Sequence, residues 1–92
     1  MISEEELIKH KWKYIPEHGV WSKLCVSFRN ADRTLDHFTI SYANCLASTV
    51  SSYSIKNLER DVKFGVKIIF SNKNFYDILN TKQKRTLKNW IL

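Results

Sequence analysis

The sequence predicts an α+β domain: a small antiparallel sheet of three to four strands, with an N-terminal helix and C-terminal helices packed on one face. Three observations predict it. Between positions 11 and 42 apolar residues recur with a period of two, the spacing of a half-buried strand. In the first ten residues, and again after residue 54 except for one short alternating stretch, the spacing is helical. Residues suited to helix caps (Ser3, Ser54, Asn80) stand at the joins. The chain has 92 residues, 43% hydrophobic and 26% charged, which fits a single compact domain over residues 1–92 and argues against wholesale disorder.

Each element follows from its residues. Ser3 with Glu6 makes a capping-box pattern, and Glu4, Glu5 and Glu6 suit the positive end of a helix dipole. A helix over about residues 4–10 follows, with Leu7 and Ile8 as its inward contacts. From Lys11 the period becomes two, and Trp12 and Tyr14 alternate with lysines. Pro16-Glu17-His18-Gly19 is a turn, after which Val20, Ser22, Leu24, Val26 and Phe28 define one face of a second strand, and Trp21, Lys23, Cys25 and Ser27 the other. Beyond the polar loop from Asn30 to Thr34, Phe38, Ile40 and Tyr42 predict a third strand. Residues 47–54 are small and polar with β-branched insertions, and read equally as a strand end, a loop or a first helical turn. Ser54 caps a helix with Ile55, Leu58 and Val62 inward and Gly65 as its stop. Val66, Ile68 and Phe70 alternate as a further short strand. Phe75, Ile78 and Leu79 restore the helical period, Asn80-Thr81 breaks or caps it, and Leu87, Trp90 and Ile91 give the terminal segment an apolar seam. Phe28, Phe38, Phe64 and Phe70 are core residues by this pattern.

The charge is +6 and unevenly placed. Residues 1–46 carry six bases and six acids, which cancel. Residues 47–92 carry nine bases against Glu59, Asp61 and Asp77, so all of the excess lies there. Such asymmetry points to an acidic partner. Lys56, Arg60, Lys63 and Lys67 recur at spacings of four, three and four, which predicts one cationic side of the middle helix. Lys82, Lys84, Arg85 and Lys88 fan across the side of the terminal helix opposite Leu87 and Trp90. Together they form a stripe over residues 56–88 of the kind a phosphate backbone requires. Trp12, Tyr14 and Trp21 read either as core packing or as rings on an open sheet face beside lysines, where unpaired bases stack.

Other chemistry is poorly represented. His10, His18, His37, Cys25 and Cys45 show no metal-ligand spacing. Gly19 and Gly65 are too far apart for a phosphate-cradling loop. No pair of residues has the context of an activated nucleophile, so no catalytic residue, metal or cofactor is expected and the chain is not read as an enzyme. The acidic N-terminus lacks a basic start and apolar stretch, no run approaches a membrane span, and two cysteines are too few for a disulfide framework. The expectation is a cytoplasmic protein with reduced thiols and no membrane partner.

Two functions fit these features. The first is binding of nucleic acid, RNA or single-stranded rather than a specific duplex, because no helix-turn-helix, zinc-finger or basic-zipper pattern is present. The second is a protein-binding inhibitor or adaptor, such as a phage-type accessory factor, docking its basic face on an acidic site of a larger host enzyme or defence protein.

Overall fold

The computed structural model describes residues 2–30, 37–43, 46–51 and 54–92. Helix α1 (Glu4–Lys9) opens the chain and is capped by Ser3, whose Oγ accepts the Glu6 amide at 3.2 Å. Its other end is a Schellman motif: the Lys11 amide donates to the Ile8 carbonyl and the Trp12 amide to the Leu7 carbonyl. Lys11 takes the left-handed conformation this requires, at φ 74°. The motif joins Leu7 and Trp12 in the core, so the ring is packing rather than an open sheet face and is only 2% exposed. Ile8, expected inward, is 63% exposed.

Strands β1 (Lys13–Ile15), β2 (Val20–Lys23), β3 (Val26–Asn30), β4 (His37–Tyr42) and β5 (Leu46–Ser51) form one antiparallel meander in chain order. The stretch 20–28, expected to be one strand, is two. Leu24 and Cys25 are the loop of a tight hairpin, both left-handed at φ 48° and 63°. The hairpin pairs Lys23 with Val26 and Trp21 with Phe28, which reverses the parity of the faces. Trp21 and Lys23 therefore share the helix-facing side with Val26 and Phe28, and Val20 and Ser22 lie on the other. The turn is held by two donors from distant elements. The Ala43 amide donates to the Cys25 carbonyl at 2.7 Å, and the Trp90 indole N–H to the Leu24 carbonyl at 3.1 Å. Strand β5 resolves the ambiguous stretch: it pairs along the whole of β4, from Tyr42 with Leu46 to His37 with Ser51.

Helix α2 (Ile55–Ser71) begins as expected, with the Ser54 Oγ accepting the Asn57 amide at 3.2 Å. It does not stop at Gly65. The helix runs a further turn and a half, and the expected strand at 66–70 is its second part. The helical period wins because Val66 and Ile69 continue the buried row of Ile55, Leu58 and Val62. Gly65 has a different purpose. A Cβ at this position would lie within the Tyr42 hydroxyl and 2.6 Å from its Cζ, so the absent side chain lets β4 and α2 approach.

A short turn, α3 (Lys73–Tyr76), is capped by Asn72, and α4 (Thr81–Lys88) by a reciprocal pair in which Asn80 and Gln83 each accept the other's amide. The buried residues form one cluster between the sheet and the helices. Trp12 lies edge-on to Phe28 at 5.0 Å, Phe28 edge-on to Phe38 at 5.2 Å, and Trp90 closes over Trp12 at 5.7 Å. Phe64 is excluded from this core, with 66% of its surface exposed.

Candidate nucleic-acid interface

The helical rotation of about 100° per residue places Lys56, Arg60, Lys63 and Lys67 within an arc of roughly 60° on α2. All four are exposed. The buried row occupies the far side of the helix, so core packing aims this arc at solvent. Arg60 lies 4.0 Å from Asp61, an exposed and weak pairing. Lys56, Lys63 and Lys67 have no ion pair among the described residues.

These positions are unfavourable for the helix that carries them. Lys56 lies in the first turn, where the dipole disfavours a cation and where α2 has no acidic residue. Lys56 and Arg60, and Lys63 and Lys67, are like charges four residues apart, an arrangement that destabilises a helix by about 0.2–0.5 kcal/mol per pair. Glu59, which precedes Arg60 in sequence, does not offset it. Its carboxylate turns to the other side, accepting Lys23 Nζ at 2.6 Å and lying 3.0 Å from His10 Nδ1. Lys23 is half-buried there, its ammonium 5.1 Å from the Trp90 ring.

On α4, Leu87 is fully buried and Lys82, Arg85 and Lys88 are exposed. Lys84 leans across to α3, with Nζ 4.3 Å from the centre of the Tyr76 ring. Tyr76 in turn meets Phe70, near the end of α2, edge-on at 5.6 Å. Lys84, Arg85 and Lys88 line a groove of about 560 Å³ together with Phe70, Tyr76 and Ile91. Phe70 projects from the same side of α2 as Lys63 and Lys67, being seven and three residues after them. The groove therefore joins the two basic elements. Three of the expected cations converge in it, and Lys82 stands on the exposed side of α4.

The aromatic residues fall differently from expectation. Trp12 is buried beneath Phe28 and Trp90 and presents no face to a ligand. Its indole nitrogen is buried without a hydrogen-bond partner among the described residues, a placement that costs about 1–3 kcal/mol. Tyr14 and Trp21 pack on each other at 5.2 Å across the β1–β2 pair, Tyr14 exposed and Trp21 half-buried. They lie on the sheet's helix-facing side and outside the groove. The aromatics lining the groove are Phe70 and Tyr76, neither of which sequence reasoning selects for a site. Phe70 was assigned to a strand, and the meeting of Tyr76 with Lys84 across a helix cap leaves no periodic signal.

The opposite face of the sheet holds a second groove of about 740 Å³ over Ser22, Ser27, Thr39 and Ser41, with Arg29 and His18 on its lining. It carries little charge compared with the helical groove. Cys25 has a free thiol, and Cys45 lies outside the described residues. Among the described residues no group of three His, Cys, Asp or Glu side chains is placed to hold a metal ion, and no helix is long and apolar enough to cross a membrane. In comparison with known proteins, no family model, no curated protein and no solved structure matches the chain.

Proposed function

We propose that this chain binds nucleic acid, RNA or single-stranded, through Lys56, Arg60, Lys63 and Lys67 of α2 and Lys82, Lys84, Arg85 and Lys88 of α4. The observation that carries the reading is the cost of the α2 charges to their own helix. They repel one another along α2, oppose its dipole at Lys56, and are almost without acidic partners among the described residues. A solvated surface helix has no need of such an arrangement. A polyanion rewards it by releasing condensed counterions.

Binding of a mixed single-stranded oligonucleotide tests the proposal. The logarithm of affinity should fall linearly with the logarithm of salt, by about 0.7 per phosphate contact. Replacing Lys84, Arg85 and Lys88 by Gln should leave the fold intact and reduce that slope by up to about 2. Reversal of Lys56, Arg60 and Lys63 to Glu should do more, since repulsion is added to lost attraction. A wild type that binds no oligonucleotide at low salt refutes the proposal.

One observation favours the alternative, an adaptor or phage-type inhibitor docked on an acidic protein. Phe64 and Ile68 are exposed at 66% and 45% beside the cationic arc, and an apolar ridge flanked by charge suits a protein partner. Ile68→Ser separates the readings. Ile68 meets no phosphate and lies outside the groove that Phe70 and Tyr76 line, so its loss leaves oligonucleotide affinity unchanged but weakens a protein interface.

A further inference from the structure

We infer that the groove between α3 and α4 is a subsite for one unpaired nucleotide of a single strand, its base held against Phe70 and Ile91 and its phosphate by Lys84, Arg85 and Lys88. The inference rests on the nucleic-acid reading above and specifies where a strand is held rather than merely attracted.

The groove differs from the stripe in having walls. Its volume of about 560 Å³ lies within the roughly 300–1,000 Å³ typical of small-ligand clefts. An apolar wall contributes nothing to a phosphate, whose oxygens remain hydrated, but it gains from any flat ring that leaves water against it. A groove lined by three cations and by aromatic and aliphatic side chains therefore matches a ligand with an anionic end and a planar apolar body. A nucleotide is such a ligand. It must be unpaired, because in a duplex the faces of the base are already stacked and its edges paired.

Lys84 shows how the cations are ordered. Its ammonium sits 4.3 Å from the Tyr76 ring centre, which fixes a long side chain before any ligand arrives and reduces the entropy lost on binding. Arg85 and Lys88 lie three residues apart on the same helix and so are neighbours on its surface. Lys63 and Lys67 occupy the side of α2 from which Phe70 projects, so phosphates of adjoining nucleotides meet cations as the strand leaves the groove. The same reasoning disfavours the groove on the opposite sheet face, where hydroxyl groups replace the cationic row.

The test compares hexathymidylate with an abasic hexamer of equal charge, using the full chain at low salt. Wild type should bind hexathymidylate more tightly, and the nuclear magnetic resonance signals of Phe70, Tyr76 and Ile91 should shift further on titration with it than with the abasic strand, whose phosphates act only through the cations. Phe70→Leu keeps an apolar side chain but removes the ring. It should lower affinity for hexathymidylate about fivefold, the low end of the loss of one base–aromatic stack, and leave the abasic strand unaffected. Lys84→Gln with Arg85→Gln and Lys88→Gln should weaken both. If wild type binds the two strands equally and the ring signals stay in place, the subsite is overturned while the cationic stripe stands. If neither strand binds, the nucleic-acid reading itself has failed. If neither binds but an acidic peptide containing tryptophan shifts those three signals, the groove belongs to a protein partner and the nucleotide assignment is wrong. The signal shifts use the wild-type chain, so they decide the matter even if Phe70→Leu folds poorly.

Discussion

Replacing Gly65 by alanine would bring two opposing effects to one atom. Alanine is favoured over glycine inside a helix by about 1 kcal/mol. At this position, however, the new methyl would overlap Tyr42, a core residue with 5% exposure and little freedom to retreat. Overpacking of this kind costs about 1–3 kcal/mol, so Gly65→Ala should lower stability in a denaturant melt. In a Tyr42→Leu background the overlap is gone, and the same substitution should become neutral or stabilising by up to about 1 kcal/mol. A change of the same sign and size in both backgrounds would show that Tyr42 is not what keeps this position free of a side chain. The glycine also explains a limit of sequence reasoning. A lone glycine within a helical pattern signals either a stop or a close approach, and only the position of Tyr42 on another element distinguishes them. Trp12 is a similar case. Its alternation with lysines suggests a strand face, whereas a left-handed Lys11, unmarked by glycine, turns it into the core.

At the scale of elements, the parts written in local chemistry were legible. Ser3, Ser54 and Asn80 cap their helices as their types imply, and the third predicted strand became β4 with Phe38, Ile40 and Tyr42 inward. The misreadings share one origin. Val66, Ile68 and Phe70 alternate by accident within a longer helical row, and Val20 to Phe28 alternate continuously although a hairpin interrupts them. A two-residue turn made of Leu24 and Cys25 lacks the Asn-Gly type of signal, because Trp90 and Ala43 supply from a distance the bonds that fix it. The cationic helices carry a prediction of their own. Lys56→Glu places an acid in the first turn of α2 and opposite Arg60 one turn on, so it should stabilise the protein by about 0.5–1 kcal/mol. Oligonucleotide binding should weaken at the same time. A gain of stability with undiminished binding would detach Lys56 from the interface.

For the whole molecule, the charge asymmetry of the sequence becomes a spatial one because of the order of the elements. The meander is completed before α2 begins, and α2, α3 and α4 then form the second layer. A basic C-terminal half thus becomes a basic helical layer over a nearly neutral sheet. This much was readable without coordinates, since summed charge survives errors in the assignment of strands. The groove was not readable, since it depends on how the end of α2, the short α3 and α4 meet. The position of Trp90 adds a prediction at this scale. It is buried against Trp12 and bonded to the Leu24 carbonyl, so a chain ending after Lys88 should lose cooperative thermal unfolding, whereas Leu92→Ala, at an 85% exposed position, should not alter it.

The same contact bears on how the protein is made. Synthesis delivers α1 and the sheet first, and although Trp12 packs on Phe28, the helix-facing side of Phe38, Ile40 and Tyr42 lacks the cover of α2 and α4 until those helices emerge. At about 5–20 residues per second, the stretch from Tyr42 to Trp90 occupies the ribosome for roughly 2–10 s. During that interval the nascent chain presents an apolar sheet face that is only partly covered, the kind of surface holding chaperones recognise. Trp90, packed on Trp12 and bonded to the Leu24 carbonyl of the tight hairpin, makes closure of the core a late event.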